Sequence, residues 1–455
     1  MVGGGFVGVC SALAFQQRGQ SLGCWGGVKL FESGPAGGAQ ACSWGNAGTF
    51  APYACLPVTG PSVVRSLPSL LGDSNGPLRL ARGIDGALGL LGAVPWLVRT
   101  LLECSQANHE HTVTQLAAML AKSEAAWDRV LEYARIDPDA VIVGSNGPPL
   151  VSRKGYLLLQ DAPGCDVHSG KSRRNLERRV DALFQAGSRL RCEVLDESGV
   201  LELEPGLSSE AARGGAHFFP DAWQLSDPAI MLDRLLKAAV ERGVEVISGD
   251  DQGHVTSLAF PNGADGDVVL GTRDGREHEA YMAVVCAGAH SHQLAVDGGE
   301  QGVSLSTERG YSITFERGAL GDAGALNRAV GSAAGGFILT PMSKGLRCAG
   351  LVELGGTRAG PYGQRWAQLE RMTRLYVADD PGARKKEMDW MGFRPTCPDY
   401  LPVLGRSRSH PGLFYNFGHQ HIGFTAAAVS AEEVCHLADH AAHTLDLAHY
   451  WPSRF

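Results

Sequence analysis

The sequence predicts an α/β nucleotide-binding domain assembled from separated pieces of chain, with an α+β domain inserted twice between them. Three observations carry this prediction. A glycine cluster, a helix-like segment and a short strand follow one another from Val2 to Glu32. A helix and strand of the same grammar recur from Asp227 to Ile247. A nearly all-apolar run, Tyr281 to Gly288, ends in Cys286-Ala287-Gly288-Ala289, which suits a parallel strand covered on both faces. The nucleotide domain is expected over residues 1–60, 221–295 and 391–455, and the inserted domain over 61–220 and 296–390.

In chain order, Val9 to Arg18 reads as a helix and Val28 to Glu32 as a strand. Gly86 to Leu102 is the most apolar stretch, but it contains Pro95 and Arg99 and falls short of the roughly 20 residues of a membrane span. It reads as a buried helix in preference to one that skims a membrane. His109 and His111 lack any Cys or carboxylate cluster beside them and read as solvated loop, with no metal site. Leu116, Met119, Leu120, Trp127, Val130, Leu131 and Ala134 recur at helical spacing. Gly155 to Gln160 and Ala216 to Phe219 read as short strands. Asp227 is an N-cap followed by proline at the first helical position, and Gly243 closes that helix before the strand Val244 to Ile247. Leu305, Thr307, Arg309, Tyr311, Ile313 and Phe315 share one face of an alternating strand. Phe337 to Met342 and Leu346 to Leu354 form a hairpin, and the chain closes with a strand, Leu413 to Phe417, and a helix from Phe424 to Ala438.

Composition narrows the function. The 455 residues suffice for two or three cores. The formal charge is -8 with no long run of Lys or Arg, which argues against a nucleic-acid surface and for a small partner. Eleven cysteines without a C-x-x-C pair read as reduced thiols of an intracellular protein. The sixty glycines show no three-residue period, so they imply turns and close backbone approaches, not collagen.

Gly3-Gly4-Gly5-Phe6-Val7-Gly8 satisfies G-x-G-x-x-G, whose glycines let backbone N–H groups and a helix N-terminus approach a pyrophosphate. Glu32 ends the following strand, where a carboxylate accepts from ribose hydroxyls; it stands 24 residues past Gly8, and the excess is the insertion Ser21 to Gly27. The strand that precedes the glycines is represented by Met1-Val2 alone, which predicts a shortened first strand and an exposed central edge of the sheet.

Ser43-Trp44-Gly45-Asn46-Ala47-Gly48, Gly392-Phe393-Arg394-Pro395-Thr396-Cys397-Pro398-Asp399 and Gly418-His419-Gln420-His421-Ile422-Gly423-Phe424-Thr425, with Glu204-Pro205-Gly206-Leu207 and Gly310-Tyr311-Ser312 between them, make the sequence resemble the FAD-dependent D-amino acid dehydrogenases, relatives of glycine oxidase, sarcosine oxidase and D-amino acid oxidase. The resemblance implies a Rossmann-like domain holding FAD non-covalently and an antiparallel-sheet domain covering the substrate. It carries the cofactor contacts onto Gly3, Gly5, Gly8, Glu32, Ser43, Asn46, Ala47, Gly48, Val255, Ala287, Gly288, Gly418, His419, Gly423 and Thr425. The chain departs from the family pattern at Gln420, where glycine is usual, and at Thr396-Cys397, which replaces a methionine-containing pair.

The same resemblance implies oxidation of a D-amino acid such as D-alanine to a 2-oxo acid and ammonia, with electrons passed to a quinone or another carrier. Arg394 would clamp the carboxylate bidentately, with Tyr311 or Tyr53 in support. Two alternatives stay open: a sister oxidase acting on glycine, sarcosine or a cyclic imino acid and releasing hydrogen peroxide, and a degenerate module that keeps the fold without activity. A cytoplasmic protein is expected, with peripheral membrane contact as a further option.

Overall fold

Met1 to Gly3, expected to leave the centre of the sheet bare, occupy it. In the computed structural model, which describes all residues except 24–25, 62–63, 65–72, 74–75, 143–148, 163, 264–265 and 317–325, Val2 bridges in parallel to Phe31 on one side and Val285 on the other. Val2 N donates to Val284 O (2.9 Å) and Gly3 N to Phe31 O (2.8 Å), while Met1 O and Val2 O accept from Phe31 N and Cys286 N. A strand position is defined by its paired donors and acceptors, and three residues supply them to both neighbours.

The strands that position the site are β1 (Lys29–Glu32), β2 (Tyr156–Leu159), β3 (Ala216–Phe219), β4 (Glu245–Ser248), β5 (Ala283–Val285), β6 (Ser306–Glu316), β7 (Ala329–Ser332), β8 (Phe337–Met342), β9 (Gly345–Leu354), β10 (Trp390–Thr396), β11 (Val403–Arg406) and β12 (Leu413–Phe417). The helices used below are α1 (Phe6–Leu22), α2 (Gly83–Gly92), α3 (Val94–Glu103), α4 (Gln106–Ala134), α5 (Pro228–Glu241) and α6 (Gly423–Ala438).

One layer runs β4-β1-(Met1 to Gly3)-β5-β12-β11, parallel throughout except for β11. Asp227 caps α5 by accepting from Ala229 N at 3.0 Å, which starts the helix that leads into β4. Ser21 and Leu22 of the expected insertion extend α1, and Gly23 (φ 65°) ends it in the left-handed region; Cys24 and Trp25 lie outside the described residues. Helices α1, α4 and α6 meet through Phe6, Trp127 and Phe424, whose ring centroids stand 5.0–6.1 Å apart. The Trp127 indole N–H also donates to Phe424 O and Thr425 O. That cluster fixes the N-termini of α1 and α6 side by side.

The second layer is a nine-stranded sheet ordered β10-β6-β9-β8-β7-β2-β3 and then Glu193–Leu195, with Leu78–Leu80 lying parallel to part of β9. All other pairs are antiparallel except β7 with β2. The strict alternation expected for β6 is broken: its register with β9 shifts between Arg309 and Tyr311. Such a bulge re-aims the side chains that follow it. Arg309, buried within the sheet, pairs with Glu353 of β9 at 3.0 Å, each side chain 1 % exposed.

Two further expectations are corrected. His109 and His111 lie in the first turns of α4 and not in a loop; His109 Nδ1 meets Thr59 O at 2.8 Å. Gly86 to Leu102 is not one buried helix but parts of α2 and α3, joined at a 54° bend with most of their large apolar side chains exposed.

Breaking a buried pair costs more than the pair contributes, because the remaining charge is left unpaired. Arg309→Ala should therefore cost about 3–5 kcal/mol in urea unfolding, and an unchanged midpoint would show that Glu353 needs no arginine.

Candidate active site

A single cavity of about 1640 Å³ reaches both layers, beyond the roughly 300–1,000 Å³ of ordinary ligand pockets. Its wall includes Gly3, Gly5 and Glu32 from the parallel sheet and Gly310, Tyr311 and Arg394 from the antiparallel one.

The glycine turn is shaped by contacts that exclude side chains. A Cβ on Gly3 (φ 109°) would stand 2.4 Å from Cys286 O, and one on Gly8 would stand 1.8 Å from Gly3 O. Gly8 does not line the cavity; its role is to let α1 close on the first strand. Gly5, at the N-cap of α1, has no side chain to accept from the helix, and Ser43 Oγ takes the Phe6 N–H at 2.9 Å instead. Glu32, almost buried, accepts from Gly4 N at 2.5 Å through Oε2, and its Oε1 lies 3.3 Å from Gly34 N and Gln40 Nε2. The carboxylate thus faces the cavity while steadying the turn.

Residues 43–48 tie the two layers together. Asn46 Oδ1 accepts from Gly48 N (2.6 Å), Ala47 O from Thr340 Oγ1 (2.8 Å), and Asn46 O from the buried Arg347 (3.0 Å). Ser43, Asn46, Ala47 and Gly48 all line the cavity, as do Val255, Ala287 and Gly288.

The C-terminal loop brings a third wall. Gly418, His419 and Gly423 line the cavity, and α6 begins at Gly423 with no side-chain cap, so its N-terminal amides and dipole are directed at the cavity. Thr425 does not line it; its hydroxyl accepts from Ala51 N at 3.0 Å. His419 Nε2 meets Ser430 Oγ at 3.1 Å, and complete burial pushes its pKa down to about 3. It is a neutral brace for the loop. Gln420, the departure from the family pattern, takes φ 45°, the left-handed backbone that glycine adopts without cost. Its amide holds that conformation by donating to Tyr400 O, and its backbone N–H donates to Pro395 O at 2.8 Å.

Arg394, on β10 opposite Glu308 of β6, donates to Leu351 O at 2.8 Å through Nη1. Its guanidinium lies across Gly310, where a Cβ would come within 2.3 Å of Nη2. Tyr311 and Tyr53 share the cavity wall, yet their hydroxyls are engaged. Tyr311 donates to Glu353 Oε1 at 2.8 Å and accepts from Tyr362 N, and its pKa is pushed up to about 12 by burial. Tyr53 stacks on Tyr156 and Phe219 at 4.6 Å, with burial raising its pKa.

Sequence reasoning passed over Glu308, Tyr400 and His421, which line the cavity around Arg394. Tyr400 donates to Glu308, whose carboxyl is pushed up by burial. His421 opens to the cavity, and its enclosure by protein together with Arg394 brings its pKa down to about 4. The bulge hid Glu308, because strict alternation assigns it to the face opposite Tyr311. His421 stood inside a recognised motif, where its own chemistry could have been read.

Comparison with known proteins bears on the family, the fold and the cofactor. A family described as FAD dependent oxidoreductase (DAO) matches residues 1–437. The chain is 28% identical to a D-amino-acid oxidase of Bradyrhizobium diazoefficiens, over 100% of this chain and 98% of the relative. It is 26% identical to D-amino acid dehydrogenase 2 of Ralstonia nicotianae, over 99% and 98%. In fold it is similar to glycine oxidase from Geobacillus kaustophilus (TM-score 0.67, 20% identity, 100% and 97% covered) and to L-proline dehydrogenase from P. horikoshii (TM-score 0.65, 16% identity, 100% and 96% covered). The residues present fit FAD. The cavity has the volume, the side-chain-free turn and the two helix N-termini that an extended dinucleotide needs. Two buried acceptors of its lining, Asn416 Oδ1 and Gln420 Oε1, have no hydrogen-bond partner among the described residues.

Glu32→Ala should weaken FAD binding by about 1–3 kcal/mol, since a charged acceptor beside the turn is lost; titration of FAD into apoprotein checks this, and unchanged affinity would remove Glu32 from the site. His419 sets an acid limit. With a folded pKa of about 3 against an ordinary 6.5, His419 binds its proton mainly in the unfolded chain, so the stability it contributes is complete above pH 6.5 and is lost as pH falls towards 3. Between about pH 7 and about pH 5 the loss for the buried His419 is about 2 kcal/mol. His419→Gln should flatten that slope in urea unfolding, and an identical slope would place the proton uptake elsewhere.

Proposed function

The chain belongs to the DAO family of FAD-dependent oxidoreductases, and from that premise we propose that it oxidatively deaminates D-amino acids such as D-alanine, passing the electrons to a quinone or another carrier. Loss of two electrons and two protons leaves an imine, and one water hydrolyses it to a 2-oxo acid and ammonia. The observation that carries the reading is Arg394, a guanidinium in the wall of the same cavity as the glycine turn, with one N–H fixed on Leu351 O and its plane resting on Gly310.

Bound FAD supplies a two-electron acceptor for the Cα–H bond of the substrate. The protein's share is positioning. Arg394 presents its remaining donors to the carboxylate, and the hydrogen bond to Leu351 O limits the directions that fork can take. Gly310 leaves the space that a side chain would fill. Glu308, held by Tyr400, lies opposite Arg394 in the ladder of β6 and β10, and its burial raises its pKa, so it fixes the wall beside the guanidinium. His421, neutral at physiological pH, puts an imidazole in the same wall without adding a charge that would repel an amine. Tyr311 holds the Glu353 end of β9, and with its hydroxyl occupied it serves the cavity as a wall and not as a donor to the carboxylate. Tyr53 packs the far wall.

An oxidase that hands the electrons to oxygen and releases hydrogen peroxide is the second reading. Its support is the oxidase names among the relatives.

Arg394→Lys keeps the charge and loses the fork, so kcat/KM for D-alanine should fall on the order of 10², about 2.7 kcal/mol of transition-state stabilisation, with the melting temperature little changed. Equal activity would remove Arg394 from the substrate site. Under anaerobic conditions D-alanine should bleach the flavin and L-alanine should not, because one carboxylate clamp presents Cα–H from one enantiomer only. Bleaching by L-alanine alone would overturn the assignment of hand.

A further inference from the structure

The cavity wall holds a second guanidinium, Arg179. The helix Gly170–Gln185 carries Lys171, Arg173, Arg174, Arg178 and Arg179 against Glu177 and Asp181. The other six charged residues are exposed, whereas Arg179 is half-buried and turns inward to the cavity. Its guanidinium lies 5.6 Å over the ring of Phe219 and 6.0 Å over that of Tyr53. Aromatic faces offset part of the desolvation of a cation, but they offer it no acceptor. Among the described residues Arg179 forms no ion pair, and its Nε is buried without a hydrogen-bond partner. Asp161, which follows β2, is committed to Ser332 Oγ, Tyr376 OH and Ala334 N. A cation kept unpaired in a cavity wall is costly, and an anion entering the cavity removes that cost.

Arg179 and Arg394 stand towards opposite ends of one sheet. Arg394 comes from β10 and rests on Gly310 of β6. Arg179 rests on Phe219 of β3, at the far side of the order β10-β6-β9-β8-β7-β2-β3. The wall between them is uncharged along the row Ala349, Ile338, Gly331 and Leu158, which are paired neighbours on β9, β8, β7 and β2. Ala349, Ile338 and Leu158 line the cavity. From β9 to β2 the row crosses three strand spacings, about 14 Å. An uncharged floor between two guanidinium groups matches a ligand with an anion at each end and methylenes between them.

We propose that Arg179 binds a distal carboxylate, so that the cavity favours D-amino acids whose side chains end in a carboxylate, with 2-aminoadipate and 2-aminopimelate ahead of aspartate. The inference rests on the proposed D-amino acid oxidation and narrows its substrate class. Arg394 takes the α-carboxylate and Arg179 the side-chain carboxylate, each through charge-assisted hydrogen bonds. A substrate anchored at both ends loses the freedom to swing about a single clamp, which holds Cα in one place. D-Alanine, with no distal charge, uses Arg394 alone and is the weaker substrate.

The test reads selectivity on the FAD-loaded protein. kcat/KM for D-2-aminopimelate should exceed that for D-2-aminoheptanoate, the same chain without the distal carboxylate, about tenfold or more. In Arg179→Gln that ratio should collapse to about one, and Arg179→Lys, which keeps the charge and loses the fork, should retain part of it. A binding readout separates the distal site from the reaction. Pimelate and heptanoate, which carry no amine, are titrated in turn and followed by the flavin's visible absorbance; pimelate should bind more tightly, and Arg179→Gln should erase the difference. Protein that oxidises D-alanine yet binds pimelate and heptanoate alike would overturn the distal site and leave the proposed reaction standing. A pimelate preference that Arg179→Gln erases, in protein that oxidises none of these amines, would sustain the distal site and overturn the reaction. An Arg179→Gln variant that keeps its melting temperature but no longer retains FAD would assign Arg179 to the cofactor and overturn the proposal.

Discussion

The structure depends on the packing of three backbone residues, Met1 to Gly3, between β1 and β5. Their hydrogen bonds close the parallel sheet at its centre and set the direction in which the chain leaves it. Gly3 then turns in a conformation closed to side chains, and Gly8 brings α1 against that turn at a distance no Cβ could tolerate. The N-terminus of α1 reaches the cavity only because both contacts are made by glycine. Ser43 completes the helix from a loop that also reaches β8 and β9 through Thr340 and Arg347. One network of backbone contacts thus carries the geometry from the nucleotide layer to the antiparallel layer.

The two layers divide the work of the cavity. The parallel sheet contributes amides, a carboxylate and two helix N-termini, groups that recognise phosphate, ribose and a ring that gains charge. The antiparallel sheet contributes an arginine, buried acids and aromatic rings, which on the proposed reading orient a small zwitterion. The cluster of Phe6, Trp127 and Phe424 locks α1 and α6 together, so neither helix can shift without the other. The polar side is stiffened from behind. Glu353 is shared by Arg309 and Tyr311, and Tyr400 joins Glu308 to Gln420.

Much of this was legible in the sequence because it rests on periodicity and turn chemistry. The helices α1, α5 and α6, the hairpin β8–β9 and the strands β3 and β12 fall where their apolar patterns put them. The first strand was not legible, because two residues have no period and its existence lies in its neighbours' hydrogen bonds. The bulge in β6 is a tertiary event that moved Glu308 to the cavity wall. The exposure of α2 and α3 was missed because an apolar run says that a surface is covered without saying by what. Gln420 stands where the resemblance implies glycine, and its left-handed φ is the conformation that glycine adopts without cost.

Arg394 and the glycine turn lining one cavity is the arrangement on which the functional account stands. The most direct measurement is a titration of the FAD-loaded protein with propionate, a carboxylate lacking the amine, followed by the flavin's visible absorbance. The account predicts a saturable spectral shift in the wild type that is weakened at least about tenfold in Arg394→Met, about 1.4 kcal/mol or more. No shift in the wild type, or equal affinity in the variant, would contradict it.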